Sequence, residues 1–528
     1  MKDNVGRTPW SAAGLPRLIS TPRQRVRGDP RGPGGPPHFG LLLHLGWFLH
    51  LGLLPHFGRF LLVLLAAMPL TAHVGSPDVF FEGNAGPYRL LVTIRPPEVV
   101  PGVAEIEIRS ASPDVRQIHI LPLRLTTQAQ FSPLPDLAQA AKEDPQFFTG
   151  SLWLMATGSW QVRINADGDG GPGTLSVPVP ALPQRVLGVE RLLGAILLPL
   201  MLALALGIVS IAGAAAREAA LEPGVAPDSA RIGLARKVMA VTALIVAGAL
   251  GFGWWWWNSE DAVYRGYVFK PLTLNASVID GGRLLLRLDD PGWLTRRTDD
   301  LLPDHGHLMH LYVIRVPDMD LVWHLHPERN ENGDFVQQLP SMPAGRYALF
   351  GDIVHANGLP ETAVAQLSLP AIEGRPLSGD DAAGVAHGAR SETVSDLDNG
   401  YRMVWDRPNA PLHARRAYLF QFRIEDAQGK PAPDMELYMG MLGHAAFVGA
   451  DLSVFAHIHP SGSVPMPAMA LTQPANPHAG HMVTEEGALP AAVSFPYGFP
   501  KPGAYRIFVQ MKRGGQIETG IFDAKVEN

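Results

Sequence analysis

Two short histidine pairs carry the clearest chemistry in the chain. His324 and His326 stand in VWHLHP, and His457 and His459 in FAHIHP. In an extended strand residues i and i+2 share a face, so each pair aims two imidazoles in one direction. Pro327 and Pro460 follow directly and would end each strand at the rim of a sheet. His310 and His444 precede the pairs and would bring a third nitrogen from a neighbouring strand, which makes a three-imidazole metal site in each segment. His355, in DIVH, is expected to reach the first site as a fourth ligand. Its counterpart falls near Arg513, so the two sites are not equivalent.

The two segments read as copies of one unit, because matches recur in order along both. DHGHLMHLYV (304–313) parallels YMGMLGHAAF (438–447), and DMDLVWHLHP (318–327) parallels ADLSVFAHIHP (450–460). AGRYALF (344–350) then parallels PGAYRIF (502–508), and Glu361-Thr362 parallels Glu518-Thr519. Within this alignment His305 and His307 of the first copy are replaced by Met439 and Met441 of the second. Copper accepts both imidazole and thioether, with thioether favouring Cu(I), whereas zinc, calcium and magnesium make little use of methionine. The candidate ligands are therefore His305, His307, His310, His324, His326 and His355, with Met439, Met441, His444, His457 and His459, and copper is the expected metal. Met309, Met466, Met469 and the HAGHM segment (His478, His481, Met482) lie near these in sequence. The competing reading is that the histidines are structural, bonded to backbone or to Asp304 and Asp318, and that the methionines fill cores. His387 and His413 stand alone in polar sequence and read as ordinary surface histidines.

Composition narrows the alternatives. The chain has 528 residues and no cysteine, which excludes disulfide scaffolds, thiolate zinc sites, iron–sulfur clusters and cysteine nucleophiles. Its formal net charge of −6 argues against nucleic acid as a partner. Only 17% of residues are charged, against about 25% in soluble domains, which places part of the chain in lipid.

That part is legible. Residues 192–216 and 238–257 are uncharged runs long enough to cross a hydrocarbon core of about 30 Å, and the second ends in four tryptophans suited to a membrane boundary. They form a transmembrane helical hairpin. Arg217, Arg231, Arg236 and Lys237 in the 217–237 loop set it in the cytoplasm by the positive-inside rule, which puts the flanking regions outside. Residues 1–58 read as a low-complexity leader, where His38, His44, His50 and His56 share no helical face, and as the product of a start assigned too far upstream. Residues 59–72 have the shape of a signal peptide cleaved after Ala72, or of a first transmembrane segment. Cleavage there would make His73 a copper-chelating N-terminus with His119 as a further nitrogen.

Outside the membrane, residues 73–185, 258–371 and 396–528 consist of short alternating runs between Gly and Pro clusters, so the fold is all-β with three β-sandwiches. Residues 372–395 are small, polar and aperiodic, as a linker is.

The stretch HVGSPDVFFEGNAGPYRLLVTIRPPEVVPG, with DMELYMGMLGHAAFV, DLSVFAHIHPSG and YGFPKPGAYRIFVQMKRGGQIETGIFD, resembles the immunoglobulin-like YtkA-type domains of exported bacterial proteins. These are similar in outline to copper-resistance C-type sandwiches, some of which bind copper through His and Met. The resemblance implies immunoglobulin-like sandwiches in a bacterial periplasm, and it carries a ligand role to Met439, Met441, His444, His457 and His459.

The expected function is a periplasmic metal-binding protein held on the inner membrane, a copper chaperone, buffer or sensor module beside a metal transporter or respiratory complex. The helices carry no internal charged residue or histidine to line a translocation path. A metal-free envelope protein whose β-domains bind a protein partner is the second reading, and a copper- or iron-dependent enzyme the third. No Ser–His–Asp, HExxH, phosphate-loop or paired-carboxylate signature supports hydrolysis, so no catalytic residue is expected.

Overall fold

A computed structural model describes residues 78–125, 133–280, 282–294, 296–386, 392–472 and 488–528. The leader, the signal segment, His73, His387 and the HAGHM stretch lie outside the described residues. What is described is mainly β-sheet, with two long apolar helices.

Helix α1 spans Arg191–Glu218 and α2 spans Ser229–Tyr267. Both are long and apolar enough to cross a membrane, and their most apolar stretches are not buried against protein. The connection between them is shorter than the expected 217–237 loop. Asp228 caps α2 by accepting from the Arg231 backbone N–H at 2.8 Å, so Arg231, Arg236 and Lys237 lie on the helix. At the other end α2 runs past the tryptophans because residues 258–265 contain no glycine or proline and add an i,i+4 Asp261–Arg265 pair at 2.7 Å. The extension ends against the first β-domain, where the Tyr264 hydroxyl bonds the N–H and the carbonyl of Val100, both at 3.1 Å. The second β-region accordingly begins at Thr273 rather than at 258.

The first β-domain is a five-stranded sheet (Val79–Ala85, Tyr88–Arg95, Gly102–Ser110, Gln139–Ala140, Phe147–Leu154) facing a four-stranded one (Val115–Arg124, Asp136–Leu137, Gly158–Gly168, Gly173–Ala181). Alternate residues of the main strands, such as Leu90, Val92, Ile94, Val162 and Ile164, fill one shared core. The next region is a single ten-stranded ladder wrapped around a core of Leu286, Leu311, Val313, Phe335 and Leu349. The last is a four-stranded and a six-stranded sheet enclosing Phe422, Phe447, Phe495 and Phe522.

The two later regions match strand for strand. In the first, β1 (His310–Val316) pairs antiparallel with β2 (Leu321–Leu325) and with β3 (Gly345–His355). In the second, β4 (His444–Gly449) pairs antiparallel with β5 (Phe455–Ile458) and with β6 (Gly503–Arg513). The registers coincide: Tyr312 opposes His324 as Ala446 opposes His457, and His310 opposes Asp352 as His444 opposes Gln510.

These matched faces are packed on each other. Tyr312, Ile314, Val322 and Phe350 of one copy and Ala446, Val448, Phe455 and Phe508 of the other form a fourth buried core. At its centre Phe350 stacks on Phe455 with ring centroids 4.5 Å apart. The expected linker is not structureless. Ala382–Val385 adds a strand beside β2, and the Ala383 carbonyl accepts from the Thr519 hydroxyl of the other copy at 3.0 Å.

Truncating Phe455 removes the largest apolar contact across this interface. Phe455→Ala is expected to cost about 3–5 kcal/mol by chemical unfolding, the range for a buried phenylalanine; a loss below about 1 kcal/mol would mean that the copies do not depend on this packing.

Candidate metal centre

The histidine pairs sit where the two copies meet. β2 and β5 stop at Leu325 and Ile458, so His326 and His459 stand just beyond their ends, while His324 and His457 face the partner copy. Eight imidazoles thereby form one connected cluster: His305, His307, His310, His324, His326, His444, His457 and His459 are linked by ring contacts of 4.0–6.2 Å between centroids. Two trios converge most closely. His310, His324 and His326 each offer a ring nitrogen within 4.8 Å of the others, and so do His305, His444 and His459. The second trio is mixed, since His305 belongs to the first copy. The first trio is the one expected of the first copy, whereas in the second His305 of the first copy stands where His457 was expected, so the two trios adjoin in one histidine cluster.

Hydrogen bonds fix the tautomers in the first trio. His310 Nε2 lies 3.1 Å from the Asp304 carbonyl, which can only accept, so Nε2 carries the hydrogen. His324 Nδ1 lies 2.8 Å from Gln510 Oε1. The amide is oriented by its Nε2 donating to Thr519 Oγ1 at 3.4 Å, whose hydroxyl is committed to the Ala383 carbonyl. The Tyr438 hydroxyl, 3.3 Å from the same ring nitrogen, donates to the Asp380 carbonyl at 2.7 Å. His324 Nδ1 is therefore the donor. His326 Nδ1 donates to Asp381 at 3.1 Å, which leaves its buried Nε2 without a partner.

The remaining nitrogens, His310 Nδ1 and His324 Nε2, are 3.1 Å apart and both present lone pairs. Two acceptors at that distance repel unless a cation lies between them. An ion about 2.0–2.1 Å from each nitrogen would subtend about 100°, close to a tetrahedral angle. A carbonyl or carboxylate that accepts from the outer N–H is the usual support of a metal-bound histidine.

The other trio has the same character. His459 Nδ1 donates to the Val464 carbonyl at 3.4 Å, and His459 Nε2, His305 Nε2 and both nitrogens of His444 are buried without hydrogen-bond partners. His457 lies beside this trio with its Nδ1 3.4 Å from Asp352 Oδ2, the counterpart of the His324–Gln510 contact. The first β-domain clamps the loop that follows His459. Glu82 N–H donates to the Ser461 carbonyl at 2.7 Å, and a side chain at Gly462 would collide with the Phe80 carbonyl. A cavity of about 130 Å³ reaches His457 and His459 and is also lined by Asp78, Asp352 and Glu361.

Burial keeps these rings neutral. It holds His305 and His459 at about 4, assisted at His305 by the neighbouring His459, and pushes His310, His324, His444 and His457 well below the ordinary value, with other imidazoles adding to the effect. His326 is lowered by burial against the opposing pull of Asp381. Burial also raises Asp352 to about 7. Neutral imidazoles are the form that binds metal.

Other expected ligands fall elsewhere. His355 is not in the cluster: its nitrogens face Asp300 and Glu361, each at 3.3 Å, at the register position that Arg513 holds beside Glu518 in the other copy. His307 stacks on His326 at 4.0 Å and has its Nε2 3.2 Å from Asp380, so it covers the first trio. Met439 is half-buried with its backbone facing the His305 ring, while Met441 is buried. Met309 fills the core of the first copy, Met469 packs on the first β-domain, and His413 bonds the Asn528 carbonyl at 2.8 Å. His119 lies in the Val115–Arg124 strand, apart from the cluster. The residues missed in the sequence are the acceptors: Asp380 and Asp381, inside the supposed linker, and Gln510, at the position aligned with Asp352.

Residues 276–368 and 393–528 match a family of domains of unknown function, DUF8832. No curated protein matches the chain. Among solved structures it is similar to Salmonella α2-macroglobulin reacted with methylamine (8% identity, 87% of this chain and 24% of that one, TM-score 0.19). Trypsin-activated α2-macroglobulin from Escherichia coli (9%, 87% and 24%, 0.15) and the D1–D4 ectodomain fragment of ICAM-5 (10%, 83% and 76%, 0.14) are further examples. The chain thus spans about a quarter of the length of the α2-macroglobulins it matches.

The neutral cluster sets a pH dependence. The unfolded histidines titrate near 6.5 and the folded ones lower, so the unfolded state binds more protons below 6.5. Their stabilisation is complete above about pH 6.5 and is lost as pH falls towards about 4. Asp352, raised to about 7, acts in the opposite sense, as do Asp78, Asp304, His355 and Glu518, which are also raised, so the seven lowered histidines outnumber five opposing groups. The melting temperature of metal-free protein should fall between pH 6.5 and 4; a constant or rising value would contradict the neutral, buried cluster.

Proposed function

We propose that the chain is a membrane-anchored metal-binding protein whose centre is the histidine cluster between its two repeated β-regions. The observation that carries this reading is the pair of facing lone pairs on His310 Nδ1 and His324 Nε2, 3.1 Å apart in a buried site. A cluster evolved only for packing would pay a desolvation penalty for each unpartnered nitrogen; a bound cation offsets it.

Copper is the proposed metal. Among divalent first-row ions Cu(II) binds nitrogen ligands most strongly, and the Met439 and Met441 substitutions add a preference that zinc does not share. The three β-regions are read as immunoglobulin-like sandwiches of YtkA or copper-resistance C type, and the α1–α2 hairpin as the anchor that holds them on the periplasmic side of a bacterial inner membrane. In that setting the protein acts as a copper chaperone, buffer or sensor beside a transporter or respiratory complex, without catalysing a reaction itself.

Purified full-length protein should bind copper in stoichiometric amount, and the His324→Ala/His326→Ala double variant should lose the ion held by the first trio. Absence of Cu(I) and Cu(II) binding at micromolar concentration would overturn the proposal. Preference for zinc over copper in competition would overturn the choice of metal.

A further inference from the structure

The two copies carry the same tight turn ahead of their first cluster histidine. In the first, Asp304 and His307 exchange backbone bonds of 2.8 and 2.9 Å around His305 and Gly306. In the second, Tyr438 and Met441 exchange bonds of 2.8 and 3.0 Å around Met439 and Gly440. His305 and Met439 share the same left-handed backbone, with φ of 50° at both, followed by glycines at 87° and 78°. Positive φ at both central residues is what a tight two-residue turn requires, and the matching angles aim the His305 and Met439 side chains alike.

The two histidines of the first turn part company, His307 staying with its own copy and His305 crossing to the other. His305 joins His444 and His459 of the second copy, with ring centroids 5.0 and 4.9 Å away. The turns also lie close to each other, since the Met439 backbone faces the His305 ring. The matched contacts across the interface have a twofold character: His324 reaches Gln510 of the second copy, and His457 reaches Asp352 of the first, at aligned positions.

We infer that the copies exchange turn ligands, so that the Met439 thioether completes the His310–His324–His326 set as His305 completes the His444–His457–His459 set. The inference rests on the metal reading above. It assigns Met439 to the first copy's ion, whereas sequence alone placed it with the second, and it makes the centre a two-ion site. One half has three nitrogens and a sulfur and holds Cu(I); the other has four nitrogens and suits Cu(II). His307 and Met441, the outer residues of the two turns, cover the rings instead of binding. His307 already stacks on His326 with its Nε2 at Asp380.

Full-length protein, stripped of metal and kept in detergent, would be titrated anaerobically with Cu(I) against a chromophoric chelator, with copper K-edge absorption recorded on the first equivalent. The wild type should take up two ions, the tighter one showing sulfur scattering. Met439→Leu keeps an apolar side chain that is not branched at Cβ at the turn and should abolish that sulfur signal and weaken the tighter ion about ten-fold or more, with the second ion unchanged. Met439→His should restore binding with nitrogen scattering only, which separates lost ligation from lost folding. Sulfur scattering that survives in Met439→Leu, or a variant that weakens only the ion lost in His444→Ala, would overturn the exchange while leaving metal binding intact. No copper uptake by the wild type would overturn both readings.

Discussion

The constraint on which the rest depends is electrostatic: a buried imidazole whose outer nitrogen is committed to a carbonyl or carboxylate turns a bare lone pair inward. One such ring is ordinary, but His310 and His324 turn two lone pairs on each other at 3.1 Å, inside a cluster where burial keeps the rings unprotonated. Protonation of either ring would relieve the clash, at the cost of a charge placed among neighbouring imidazoles. A metal ion relieves it without moving the backbone. The Asp304 carbonyl, the Gln510 amide with Thr519 behind it, and the Asp381 carboxylate all act to keep the lone pairs where they are.

The architecture follows from the need to hold that arrangement. A single copy supplies a rim of histidines, but the acceptor for His324 and the third member of the second trio come from across the interface. The Phe350–Phe455 stack and the surrounding apolar residues therefore do more than join two domains, because they set the distance between ligands and their supports. The first β-domain contributes from outside by pairing its Phe80–Glu82 backbone with residues 461–463, next to His459. The end of α2 bonds that same domain at Val100, so the long apolar helix and the histidine cluster are joined through it.

Much of this was legible in the sequence, for physical reasons. The period-2 spacing of His324 and His326 and of His457 and His459, each closed by proline, reports strand ends directly, and the ordered repeat gives His310 and His444 as their neighbours. The apolar runs gave both helices, although α2 continued into polar sequence that hydropathy alone does not extend. Three features escaped. His355 follows the pattern of the other histidines, but its strand runs three residues past Asp352, the partner of His310, and delivers it to Asp300 and Glu361. The residues taken as linker look aperiodic because four of them pair at an edge and two act as side-chain acceptors. The sharing of one centre by both copies had no local signal: each copy reads as self-sufficient, and only the packing of like faces brings His305 to His444.

The most direct test of the central claim is a crystal of the copper-loaded protein measured on both sides of the copper absorption edge. The account predicts an anomalous peak between His310 Nδ1 and His324 Nε2, within bonding distance of both. A loaded crystal with no peak there, and copper only at exposed surface residues, would contradict it.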